Sequence, residues 1–84
     1  MFYVYILRSK INGKFYIGSC RNLEERVKRH NSGRCVYTKK YLPWELEYFE
    51  EYSTKKDAVR RERYLKSLKS RKIIKKIISR ASRL

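Results

Sequence analysis

The chain opens with two β-forming runs separated by an asparagine–glycine pair, and this hairpin constrains what the rest can build. Phe2 to Arg8 (FYVYILR) is aromatic and β-branched, Asn12-Gly13 is a tight-turn signal, and Lys14 to Ser19 (KFYIGS) resumes the strand character. Gly18 weakens the second strand, which marks a bulge or a place where another group approaches the backbone closely. An isolated hairpin is marginal in water, so later residues must cover it. With 84 residues there is room for one core and a surface site. Residues 1–84 are therefore expected to form a single domain. Hydrophobic residues make up 42% of the chain and aromatics 14%, enough for a core.

Asn22 with Glu25 three residues on is a variant of the capping box, and predicts a helix over about 23–32 ended by Asn31-Ser32-Gly33. Residues 34–43 read as a loop closed by Pro43, and 44–52 (WELEYFEEY) as a third strand. Thr54 with Asp57 opens a helix over about 55–68, and Ser70 a basic one over about 70–82. The order β-β-α-β-α-α predicts an α+β fold: a three-stranded antiparallel sheet of order 2-1-3 with about three helices packed on it.

Charge points to the partner. Twenty-three Lys and Arg oppose eight Asp and Glu, a net charge of +15, and such self-repulsion favours a polyanion, nucleic acid above all. From Arg63 to Leu84 there are nine basic residues and no acidic one. Arg34, Lys39 and Lys40 in the loop, and Lys72, Lys75, Lys76 and Arg80 on the last helix, are the expected phosphate contacts. Tyr37 and Thr38 in that loop either touch the substrate or belong to an ordinary polar connection. The isoleucines of the last helix are expected to dock on the sheet or the second helix, not on a membrane surface. The longest apolar run, Phe2 to Leu7, is far short of the ~18 residues of a membrane span, and no signal peptide is expected. Cys20 and Cys35 form neither a CxxC pair nor a zinc set and are expected to be reduced, consistent with the cytosol. No helix-turn-helix, P-loop, dinucleotide fingerprint or other small-molecule cofactor motif is present, so recognition of nucleic-acid structure is expected over base sequence.

Two helices carry polar residues on apolar stripes. Leu23, Val27 and His30 share one face of the first helix, with Arg26 on the same stripe. On the second, Ala58, Leu65 and Lys69 define the inner face and Glu62 lies within it. Two readings stand: a structural Arg26–Glu62 ion pair with His30 satisfied at a helix end, or polar groups turned into a cleft beside the tyrosines of the hairpin.

Tyr3-Val4-Tyr5, then Tyr16-Ile17-Gly18, then Arg26, His30 and Glu62 resemble the GIY-YIG nuclease superfamily over about residues 2–68, in the manner of its small stand-alone bacterial members. Tyr3 and Val4 replace the first Gly and Ile of the name, and no asparagine follows Asn31. The resemblance implies a catalytic set of Tyr5, Tyr16, Arg26, His30 and Glu62, with Gly18 as the motif glycine. It implies a metal-dependent endonuclease that hydrolyses a phosphodiester bond in DNA with one Mg²⁺ or Mn²⁺ held by Glu62. The alternative is a nucleic-acid-binding module on the same fold with weak or no catalysis. Which of Tyr5, Tyr16 and His30 takes the proton stays open, as does the oligomeric state.

Overall fold

A computed structural model describes residues 1–81. Strands β1 (Phe2–Ser9) and β2 (Phe15–Cys20) form the hairpin, with Gly13 at φ 73 in the turn and Asn12 Oδ1 accepting from the Lys14 amide at 3.0 Å. Helix α1 (Leu23–Asn31) follows, then β3 (Trp44–Tyr52) pairs with the other edge of β1, and helices α2 (Lys55–Ser67) and α3 (Arg71–Ala81) close the chain. The sheet order is β2-β1-β3, antiparallel throughout. Fold class and strand order are thus as the sequence implies. Position 82, the expected end of the last helix, lies outside the described residues.

All three anticipated N-caps form: Asn22 Oδ1 accepts from the Glu25 amide at 3.0 Å, Thr54 Oγ1 from that of Asp57 at 3.2 Å, and Ser70 Oγ from that of Ile73 at 3.3 Å. Two details differ. Thr38–Tyr41 is a short 3-10 turn instead of open loop, preceding a cis Leu42–Pro43 bond. Lys69 is not on the inner face of α2, because the helix stops at Ser67 and Lys69 turns the chain at φ 47, exposed.

Alternate residues of β1 serve opposite faces of the sheet. Val4 and Ile6 pack under α2 and α3 against Ala58, Leu65 and Ile74. Ile77 and Ile78 join them, as expected for docking on the sheet, while Ile73 stays exposed. Tyr5 and Leu7 face the other way, towards Trp44, α1 and the 3-10 turn. The candidate site lies on that second face and reaches round the β2 edge to α2.

Candidate active site

Gly18 is the position from which the site is built. It sits opposite Tyr5 in the β1–β2 register, and the Tyr5 hydroxyl lies directly over it. A Cβ at position 18 would come 2.5 Å from that hydroxyl, so only glycine admits the ring. The close approach suggested by a glycine within a strand is therefore an approach by a tyrosine.

The Tyr5 hydroxyl, on a residue only 1% exposed, shares a 3.0 Å hydrogen bond with His30 Nε2. His30, 3% exposed at the end of α1, uses its Nδ1 for a second 3.0 Å bond to Thr38 Oγ1. Thr38 is fully buried, and its carbonyl accepts from Trp44 Nε1 at 2.8 Å. Asn31 holds the Trp44 backbone from both sides, its Nδ2 donating to the carbonyl and its Oδ1 accepting from the amide. Thr38 is therefore part of the buried chain, not an ordinary polar loop residue. Tyr16 covers it, its ring 4.8 Å from that of His30 and 6.3 Å from that of Tyr5.

The electrostatics of this chain keep it uncharged. Burial pushes the Tyr5 phenol well above its ordinary value, with Tyr16 adding to the rise and Arg26 opposing it. Burial lowers His30, and the nearby Arg26 and Arg29 charges lower it further, so the imidazole is neutral at pH 7. Burial also raises Tyr16, with Cys35 next in effect and Lys66 pulling the other way. A neutral imidazole bonded to a buried phenol can exchange a proton with it.

Glu62 stands on α2, round the β2 edge. Ser19 Oγ donates to its Oε1 at 2.6 Å, and Lys66 Nζ lies 2.7 Å from its Oε2. Burial alone would raise this carboxyl, but the Lys66 and Ser19 bonds outweigh it and hold the group below the usual carboxylate range. The Arg26–Glu62 ion pair read from the helical pattern does not form; Lys66, one turn along α2, takes that place. Its i, i+4 spacing was the available signal. Arg26 instead lines a hollow of about 260 Å³ with Arg21, Lys55, Ser19 and Cys20. Tyr16 links the parts, since its phenol feels the charges of both Arg26 and Glu62.

Tyr5, Tyr16 and His30 are therefore in mutual contact, with Arg26 beside them and Glu62 at the strand edge. The seven cations expected to meet phosphate are all exposed, but they fall on two sides of the sheet. Arg34, Lys39 and Lys40 lie on or before the 3-10 turn, and Lys72, Lys75, Lys76 and Arg80 on α3. None of them lines the Arg26 hollow, where Arg21 and Lys55 stand instead. Sequence reasoning missed these two, as it missed Ser19 and Lys66. Cys20 and Cys35 are free thiols. Among the described residues, no helix is long and apolar enough to cross a membrane.

Residues 1–76 match the GIY-YIG catalytic domain family. The chain is 42% identical over 67 residues to the UPF0213 protein of Bacillus licheniformis, spanning 79% of this chain and 68% of that one. It is 45% identical over 69 residues to the UPF0213 protein of Clostridium perfringens, spanning 81% and 73%. The solution NMR structure of the UPF0213 protein from Bacillus halodurans superimposes with a TM-score of 0.60 at 34% identity, covering 94% of this chain and 84% of that one. A tyrosine folded over a strand glycine and fastened to a helix histidine thus has its context, and the chain belongs to the GIY-YIG family, alongside the small bacterial UPF0213 proteins.

Proposed function

We propose that this protein is a divalent-metal-dependent endonuclease that hydrolyses a phosphodiester bond in DNA, selecting its target by nucleic-acid structure. One observation carries the reading: the buried Tyr5 hydroxyl is bonded to a neutral His30, within reach of the Arg26 charge. A face built for stability alone would fill this space with apolar side chains.

The donor set suits Mg²⁺ or Mn²⁺. Among the described residues no three metal-ligating side chains cluster, which disfavours a fully protein-bound ion such as structural zinc. Glu62 is an ionised carboxylate that already attracts one cation, the Lys66 ammonium, and Mg²⁺ commonly uses one or two carboxylates with water and phosphate. Bound there, the ion would supply Lewis-acid stabilisation of the leaving oxygen. The chain's own residues supply the rest. Tyr5 takes a proton from the attacking water while passing its own to His30 Nε2; the resulting hydroxide bonds to phosphorus as the bond to the leaving oxygen breaks, and that oxygen takes a proton from solvent. The Arg26 guanidinium binds non-bridging oxygens as their charge grows, with Arg21 and Lys55 in the same hollow. Tyr16, less buried than Tyr5, orients the water or the phosphate. Ser19 holds the Glu62 carboxylate in place.

The Lys66–Glu62 pair favours a second reading, a binding module whose carboxylate is permanently engaged. Incubation with plasmid, branched and single-stranded DNA, with and without Mn²⁺, separates the two when wild type is compared with Glu62→Ala and Arg26→Ala. The nuclease reading expects Mn²⁺-dependent cleavage by wild type, none by either variant, and DNA binding retained in Glu62→Ala. Intact binding with no cleavage by any of the three would establish the module instead.

A further inference from the structure

A second hollow, of about 570 Å³, runs along the β2 edge to the turn between α2 and α3. We infer that it binds an unpaired base of the nucleic-acid strand, next to the phosphate held beside Glu62. The identity of the strand rests on the nuclease reading above; the chemistry of the pocket does not.

The lining is apolar at its floor and cationic at its rim. Phe15, Ile17, Leu65 and Ile74 form the floor, and Tyr16 and Tyr37 stand beside it. Lys14, Lys66, Lys69 and Arg71 surround them, with Lys66 paired to Glu62 and Arg71 lying over the Phe15 ring and donating to the Gly13 carbonyl, and no carboxylate lines the space. An aromatic heterocycle carried on an anionic backbone fits this combination, its ring against the aromatics and its phosphates against the rim. A purely apolar ligand would have no use for this cationic rim.

Continuity with the candidate site is direct. Tyr16 covers His30 and also lines this hollow. Glu62 bonds on one oxygen to Lys66, which lines it, and on the other to Ser19, which lines the Arg26 hollow. The carboxylate thus joins a cationic hollow suited to a phosphate and an aromatic one suited to a base.

Two further features point to a ligand. Tyr37 is 50% exposed, yet its ring is braced by those of Tyr16 at 6.0 Å and Tyr41 at 5.7 Å, which gives a stiff stacking platform with an open side. Lys69 is held at φ 47, a conformation that side chains with a Cβ rarely adopt. That turn lets Ser70 Oγ accept from the Ile73 amide at 3.3 Å and presents the N-terminus of α3 at the rim, where the helix dipole favours an anion. A base within a duplex is stacked on both faces and cannot enter, so the ligand must be unpaired.

Fluorescence anisotropy of one labelled oligonucleotide in EDTA, alone and annealed to its complement, reads binding without cleavage. Tyr37→Ala should weaken single-strand binding roughly tenfold and duplex binding less than twofold, and Tyr37→Phe should restore it. On an oligonucleotide with abasic positions, Tyr37→Ala should have no further effect. Lys69→Gly removes the cation and relieves the backbone, and should weaken single-strand binding severalfold while raising Tm. Unchanged single-strand binding by Tyr37→Ala, or an equal loss on single strand and duplex, would overturn the inference. Because the assay needs no metal, absence of cleavage in the Mn²⁺ experiment would remove the nuclease reading and leave this result standing.

Discussion

The two faces of the sheet are filled on different terms, although both draw on alternate residues of β1. Under α2 and α3 the centre is apolar, Val4 and Ile6 against Ala58, Leu65 and Ile74, with one polar group at the margin where Arg61 clasps Glu50 between Tyr48 and Tyr52. Under α1 and the 3-10 turn the centre holds a phenol, an imidazole and a hydroxyl in series. Buried polar atoms cost stability unless bonded, and here each is bonded: among the described residues no buried side-chain nitrogen or oxygen lacks a partner. The first face holds the fold together; the second gives up apolar contact to hold a phenol, an imidazole and a hydroxyl in one hydrogen-bonded line.

Substitutions on the two faces should therefore separate stability from chemistry. The largest effect on stability is expected from Ile6→Ala, at about 2–5 kcal/mol. Thermal melting would show it as a Tm loss of roughly 10 °C or more. The folded fraction should still cleave at the wild-type rate; a lost rate at full folding would mean that the faces are coupled. Gly18→Ala comes next. Its Cβ cannot coexist with the Tyr5 hydroxyl, so the ring must leave His30, at about 1–3 kcal/mol and with cleavage reduced ~100-fold. Wild-type cleavage by this variant would show that the Tyr5–His30 bond is dispensable.

The smallest effect is a pH dependence of stability. The unfolded chain protonates histidine near pH ~6.5, whereas burial and the Arg26 and Arg29 charges lower His30 in the folded protein. The folded state therefore binds fewer protons below that pH. Stability should be full above it and decline as pH falls towards the folded value. Melting between pH 5 and 8 should show a slope in wild type that is absent in His30→Gln. Equal slopes in both would place the titration elsewhere.

How far the sequence reveals this arrangement depends on the range of each interaction. Local signals carry most of the fold: the Asn12-Gly13 turn, the caps at Asn22 and Thr54, and the aromatic and β-branched runs that give the hairpin strands. The stripe of Leu23, Val27 and His30 correctly turns the imidazole inward, and Gly18 correctly marks a close approach. What was illegible is long-range pairing. Nothing at Ser19 announces a bond to Glu62, 43 residues away, and nothing at Thr38 announces its bond to His30. Arg21 and Lys55 read as ordinary surface cations until the sheet edge brings them beside Arg26. Lys69 fits the helical stripe by spacing alone, but α2 ends two residues before it and the chain has already turned away.

The most direct test uses two neighbours on β1 whose side chains face opposite ways. Single-turnover Mn²⁺-dependent DNA cleavage by Tyr5→Phe and by Ile6→Val, with Tm measured on the same preparations, compares the faces residue against residue. This division between the sheet faces predicts wild-type cleavage with a lowered Tm for Ile6→Val, and loss of cleavage by a folded, DNA-binding Tyr5→Phe. A Tyr5→Phe protein that cleaves as fast as wild type would contradict it.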